Sequence, residues 1–439
     1  MAEALSLQVG SGDLRSVALR LFRYALATIG PVGAAGAQFI LSLQLLHLLP
    51  PASFGSFSFL LITSQFSIGL WSALFCAPLP IVMAQEKEDT RGLVDSLFAV
   101  NLLLSLLAFC AFSILATGLE VSAQASALFS GYAALTLLRW FARAHAYTTG
   151  AAIRTIASDL MYSAGLLIGI GLIAVSGAES PDLPYAALLV SAAIGLVPFG
   201  RGYFVKQFVH IRLRAIPRYA DVWRQHSSWS LVGVITTEAT VNAHAYIVTL
   251  VSGPLAFAPI AASALIIRPV GVVMNALSEF ERPQMARQIA SRDLRSAQRS
   301  ARMFLCVLAL TWALTAAGGV LLVVYSPEVI FPSEYSHSYL IAGMALWLGV
   351  TFMRILRTPD SVLLQAAGMF RWLAHASIIS SVVSIAAVTI LLVLGGPLWS
   401  LGGVLLGEAV FAAWTWYQAR RWRAATLATS SVMSNEART

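Results

Sequence analysis

Lysine is nearly missing from this 439-residue chain, where Lys87 and Lys206 are the only two among 28 basic residues. Neither lies in a GxxxxGK[ST] loop, so the chain carries no phosphate cradle of the kind that drives nucleotide hydrolysis. Charge of either sign is scarce. Only 11% of residues are charged and 58% are hydrophobic, a balance that excludes a soluble globule of this length and points to a chain whose main solvent is lipid. Cysteine is limited to Cys76, Cys110 and Cys306, each within an apolar run, which excludes a disulfide framework or a cysteine-based metal centre. Long polar segments are missing too. The longest gap on the side without basic residues is about a dozen residues, Ser326 to His337, too short for a carboxylate-bearing catalytic domain, so no enzyme and no cofactor is expected.

What the chain does have is apolar runs of membrane-crossing length. A hydrocarbon core of about 30 Å needs about 17 to 25 helical residues. Twelve runs meet this, near 24–49, 55–83, 93–117, 121–138, 155–177, 183–200, 227–252, 255–280, 303–325, 338–353, 372–396 and 397–419. The fold class expected is therefore an all-α polytopic membrane protein of about twelve transmembrane helices.

Basic residues mark alternate gaps between these runs. They occur in the N-terminal arm (Arg15, Arg20, Arg23), then at Lys87 and Arg91, at Arg139, Arg143 and Arg154, and through 201–224. The second half continues with the six arginines of 282–302, then Arg354, Arg357 and Arg371, then Arg420, Arg421, Arg423 and Arg438. The intervening gaps hold only acids: Glu120, Glu179, Asp182, Glu328 and Glu334. By the positive-inside rule both termini are expected in the cytoplasm. The net charge of +8 then reflects orientation, aided by anionic headgroups, and not nucleic-acid binding.

The chain also resembles itself. An offset of 203 residues aligns Pro51 with Pro254, Phe54 with Phe257, Ala73 with Ala276, Leu74 with Leu277, Pro80 with Pro283 and Gln85 with Gln288. Six spans per repeat preserve direction, which makes the halves parallel lobes around a central cavity, able to rock between two access states. The organisation expected is an N-terminal lobe over 1–210, a linker over 211–226, a C-terminal lobe over 227–423, and disordered ends over 1–14 and 424–439. Gly165/Gly169 and Gly403/Gly407 are GxxxG pairs suited to close helix approach. Gly30, Pro31, Gly33 and Gly36 fit either a fixed packing kink or a hinge in the first span.

One basic residue breaks the pattern. Arg268 lies mid-span in the eighth run, where a guanidinium costs about 2.5 to 3.5 kcal/mol unless it faces water or a partner. Asn275 and Glu279 follow at i+7 and i+11 on the same helical face. At the 203 offset, Gln65, Ser72 and Cys76 hold the corresponding face of the second span. Glu238, with Asn242 at i+4, is at mid-depth of the seventh span, and Glu408 is central in the twelfth. Two readings stand. Glu238 or Glu408 pairs with Arg268 to fix the bundle, or Arg268 anchors an anionic substrate through its bidentate fork while Glu238 couples an ion or proton. His244 reads as a packing imidazole.

LPPASFGSFSFLL after the first span, EATVNAHAYIVTLVSG on the seventh, FAPIAASALIIRPVGVVMNALSEFERPQMAR on the eighth and RILRTPDSVLLQAAGMFRW across the tenth and eleventh together resemble the Wzx-type polysaccharide flippases. These belong to the multidrug, oligosaccharidyl-lipid and polysaccharide exporter (MOP) superfamily. Where the family has an acid after Asn in the seventh span, this chain has Ala243 and then His244, which departs from cation coupling at that point. The resemblance implies two lobes in a V, with the first, second, seventh and eighth helices around the cavity, in a bacterial cytoplasmic membrane. The implied substrate is a polyprenyl-pyrophosphate-linked oligosaccharide, an anionic glycan lipid, with membrane lipids and other polysaccharide-assembly proteins as partners. Two alternatives remain open: a major-facilitator-like transporter of small solutes, since EDTRGL is similar to that family's Asp-Arg loop, and a membrane assembly partner in envelope synthesis.

Overall fold

The computed structural model describes residues 11–84, 91–176, 182–326, 328 and 334–436. The described residues are 93% helical and contain no strand. This follows from the solvent, because in hydrocarbon each backbone N–H and C=O must be satisfied inside its own segment.

Twelve long helices result among the described residues. In chain order, α1 is Ser11–Leu48. Helix α2 is Pro51–Trp71, continued by a π turn at Ser72–Cys76 and by Pro78–Ala84. Then come α3 (Arg91–Gly118), α4 (Ala123–Thr148), α5 (Ala152–Ser176) and α6 (Leu183–Leu196, extended by short helical turns to Val209). The segment Ser228–Ala264 turns at Gly253, whose φ of 82° only glycine adopts readily. The part before Gly253 is α7. The part after it starts at Pro254 and runs through a tight turn at Leu265–Ile267 into Arg268–Ala290, and is α8. The remainder are α9 (Leu294–Tyr325), α10 (His337–Ala366), α11 (Phe370–Gly395) and α12 (Ser400–Glu436). The turn from α11 to α12 repeats the device at Gly396 (φ 86°) followed by Pro397.

Ten stretches among the described residues are long and apolar enough to cross a membrane, one of them running through both α7 and α8. Helix α4 is not among the ten, and it carries Arg139 and Arg143 as buried residues. Residues such as Ile114, Ile168, Leu314, Val382 and Val393 stay exposed on the outer faces of their helices, as lipid contact requires.

Within the first half, α4 packs on α3 and α6, α5 on α6, and α1 on α5. Within the second, α11 packs on α12 and α7, α10 on α12, and α9 on α8 and α10. The halves meet where α2 lies along α7 and the start of α8, and where α1 touches α8. Tyr246 of α7 meets Phe59 and Phe66 of α2 edge-on, at 5.7 and 6.2 Å. At the end of this seam a Cβ on Gly55 would fall 2.0 Å from the carbonyl oxygen of Pro254, so only glycine permits the approach.

Both GxxxG pairs mark similar contacts. A Cβ on Gly169 would lie 2.5 Å from Ala187 Cβ, between α5 and α6, and one on Gly403 would lie 2.3 Å from the Val388 amide nitrogen, between α12 and α11. In α1, Gly30 and Gly33 abut Asp159 and Ser163 of α5, a packing role, while Gly36 faces open space.

Several sequence boundaries need correction. The fourth and tenth helices extend to Thr148 and Ala366, so Arg139, Arg143, Arg354 and Arg357 are helical residues and not loop residues. Residues 424–436, expected to be disordered, continue α12, and α1 already begins at Ser11; residues 1–10 and 437–439 lie outside the described residues. The stretch 211–226 contains short helical turns. It docks on the π turn of α2: its Tyr219 hydroxyl, and that of Ser227 just after it, donate to the Leu74 carbonyl oxygen at 3.0 and 2.9 Å. A π turn shifts the backbone ladder to i+5 bonding and offers such carbonyls to side chains.

Candidate functional site

Arg268 opens the regular part of α8. Pro269 follows it and lacks an N–H, so the helix cannot keep its i→i−4 ladder there and tightens into the Leu265–Ile267 turn. The half-buried guanidinium reaches across to α1, where Arg268 Nη1 donates to Ser42 Oγ at 3.0 Å. It makes no ion pair with any described residue. The expected pairing with Glu238 or Glu408 is therefore corrected. The seventh-span carboxylate instead accepts from Asn242, Nδ2 to Glu238 Oε1 at 2.6 Å, an i+4 contact along α7.

Glu408 is fully buried and taken by two other arginines. Arg354 Nε donates to Oε1 at 2.8 Å and Arg357 Nε to Oε2 at 2.7 Å, both from α10. Arg357 also stacks over Phe411, 4.1 Å from the ring centre. The first half holds a counterpart that the sequence reading missed. Asp159 of α5, 1% exposed, receives Arg139 Nη2 at 2.5 Å and also Arg143, both from α4. Arg139 Nε donates further to Ser158 Oγ at 2.9 Å, and the guanidinium stands 4.5 Å over the Tyr162 ring. Each cluster sets two guanidiniums against one carboxylate, so both arginine pairs lie on corresponding spans, the fourth and the tenth. A carboxylate inside an apolar run was the available signal for Asp159.

From Arg268 a polar path leads through α1 toward this first cluster. Ser42 Oγ donates to the Gln38 carbonyl oxygen at 2.8 Å, and Gln38 Nε2 donates to Tyr162 and Tyr132 hydroxyls at 2.9 and 3.1 Å. Gln38, Ser42, Tyr132 and Tyr162 were not legible as site residues, because single hydroxyls and amides are common in membrane helices.

The other expected positions divide. Asn275 is exposed with no side-chain hydrogen bond among the described residues, and the unbroken helix Arg268–Ala290 keeps it, Arg268 and Glu279 in register on one face; the Glu279 side chain lies outside the described residues. Gln65 is exposed. Ser72, assigned to the cavity, instead accepts from Trp140 Nε1 at 2.7 Å, binding α2 to α4 inside the first half. His244 is buried edge-on against Trp347 at 5.2 Å, in a packing position.

No family model matches this chain, and no curated protein matches its sequence. Solved structures do match in fold. An inward-facing multidrug resistance transporter of the MATE family, in the MOP superfamily, superposes with a TM-score of 0.66 over 93% of this chain and 99% of that one, at 13% identity. The lipid II flippase MurJ in an inward closed conformation gives 0.64 over 90% and 87%, at 11% identity. A MOP superfamily transporter from Pyrococcus furiosus, described as having a binding pocket of reverse polarity, gives 0.57 over 92% and 96%, at 15% identity. The fold is thus that of the MATE- and MurJ-like transporters.

Proposed function

We propose that this chain is a secondary transporter that flips a polyprenyl-pyrophosphate-linked oligosaccharide from the cytoplasmic to the outer leaflet of a bacterial inner membrane. Two six-helix lobes, 1–210 and 227–423, alternate access around a cavity lined by α1, α2, α7 and α8, with both termini in the cytoplasm. The observation that carries this reading is Arg268. The other buried arginines share carboxylates, whereas among the described residues Arg268 meets only the Ser42 hydroxyl, at the place where α1 of one half touches α8 of the other. An unpaired guanidinium in mid-membrane is costly, and an anionic substrate supplies the missing partner. Its fork matches pyrophosphate oxygens, and Asn275, Gln65 and Asn242 offer neutral hydrogen bonds to sugars while the polyprenyl tail stays in lipid. Glu238, whose one hydrogen bond among the described residues comes from Asn242, is the candidate for ion coupling.

The test is Arg268→Gln, which can still hydrogen-bond Ser42 but carries no charge. Glycan export should fall at least about tenfold, the loss of roughly 1.4 kcal/mol of charge-assisted bonding, at unchanged membrane abundance. Normal export by a normally inserted variant refutes the anchor role. A role as assembly partner predicts instead that export fails while the leaflet distribution of the lipid-linked glycan stays unchanged.

A further inference from the structure

A cavity of about 570 Å³ lies away from the seam between the halves, between α9, α10 and α12. Its walls are apolar, from Leu305, Met353, Leu356, Ala412, Ala413 and Trp416. Its polar groups come from Gln298 and Arg302 near the start of α9, Asp360 near the end of α10, and Arg423 of α12. All three elements present their arginine-rich ends here. Two of the lining residues, Leu356 and Trp416, are exposed large apolar side chains, so the opening faces hydrocarbon.

A cavity at that depth with such a rim is filled by lipid, and its charges decide which lipid. Asp360 is neutralised by an ion pair with Arg423. That leaves Arg302, which makes no ion pair or hydrogen bond among the described residues, as uncompensated positive charge on the wall. Arg423 Nε is buried with no hydrogen-bond partner, and Arg420 stands 4.6 Å over the Trp416 ring at the same rim. A donor without an acceptor, an unpaired guanidinium and an apolar slot match a phosphate with its acyl chain attached.

We propose that this cavity binds a resident anionic phospholipid of the arginine-rich leaflet, its phosphate held by Arg302 and Arg423 and one acyl chain lying along Ala412, Ala413 and Leu356. The site is separate from the Arg268 path, so it stands or falls apart from the transport reading.

The purified full-length protein in a neutral detergent, titrated with dioleoylphosphatidylglycerol or dioleoylphosphatidylcholine, tests this through its melting temperature. The anionic lipid should raise it saturably and the zwitterionic lipid should not. Arg302→Gln should weaken the apparent affinity about fivefold, the contribution expected of one interfacial arginine. Ala413→Trp, which fills the slot at an exposed position and leaves every charge in place, should abolish the shift. Both variants should melt like the wild type without added lipid; if one does not, the other decides. Equal shifts from both lipids, or an undiminished phosphatidylglycerol shift in a variant that folds, overturns the proposal. So does loss of transport in Ala413→Trp with the lipid shift intact, which assigns the slot to the substrate's own tail.

Discussion

Removing the Glu408 carboxylate strands two buried guanidiniums at once. Glu408 is 0% exposed, and the Arg354 and Arg357 side chains facing it are only 15% and 13% exposed, so water cannot replace the lost acceptor. Three hydrogen bonds, at 2.8, 2.7 and 3.4 Å, disappear together. Breaking a buried ion pair from one side typically costs about 3 to 5 kcal/mol, and with two donors orphaned Glu408→Ala should reach the upper part of that range. The loss comes from leaving charge unpaired, not from losing a favourable pair. The triple variant Arg354→Met, Arg357→Leu, Glu408→Leu should therefore recover most of it, to within about 1 to 2 kcal/mol of the wild type. Thermal melting of the purified protein and its abundance in the membrane measure both. If Glu408→Ala melts at the wild-type temperature, or the apolar triple variant melts as low as the single one, the reasoning from desolvated charge is wrong.

Asp159→Ala should behave like Glu408→Ala, because Arg139 and Arg143 lose their shared acceptor; the same melting assay should show a loss of about 3 kcal/mol or more. Gly55→Val should force the starts of α2 and α8 apart against the Pro254 carbonyl, at a cost of about 1 to 3 kcal/mol, read as a lower melting temperature with normal insertion. Asp293 caps α9: the Ser296 hydroxyl and amide bond its carboxylate, the amide at 3.0 Å to Oδ1, and hold its pKa below the ordinary carboxylate value. A depressed folded pKa gives stability that is present above the unfolded value and lost as pH falls through the folded one. The protection of the Ser296 amide, its exchange rate relative to the intrinsic rate at each pH, should accordingly fall at acid pH in the wild type, and Asp293→Ala should show low protection at every pH.

The helix count was legible because each span must satisfy its backbone internally, and the turns were legible because Gly253–Pro254 and Gly396–Pro397 interrupt otherwise continuous apolar runs. The two charge clusters were not. Reading each span as ending at its first arginine placed Arg139, Arg143, Arg354 and Arg357 in loops, and no pattern within one helix reveals a carboxylate waiting on another. For that reason Glu408 was matched to Arg268, although its partners lie on α10. Arg268 itself stood out as a cation inside an apolar run. Its contact with Ser42 did not, since the two residues lie 226 positions apart and a lone serine gives no signal. Ser72 misled for a similar reason: its place in the repeat suggested the cavity, but the nearest donor, Trp140, lies within its own half.

Flipping of a lipid-linked anionic glycan is tested most directly in cells that lack this chain and are complemented with the wild type or with Arg268→Gln. Polyprenyl-pyrophosphate-linked oligosaccharide is extracted and quantified, and its exposure on the outer leaflet is probed with a membrane-impermeant glycan-modifying reagent. The flippase reading predicts that the pool accumulates and stays shielded without the protein and with Arg268→Gln, and becomes accessible with the wild type. An unchanged pool, equally accessible in all three strains, contradicts it.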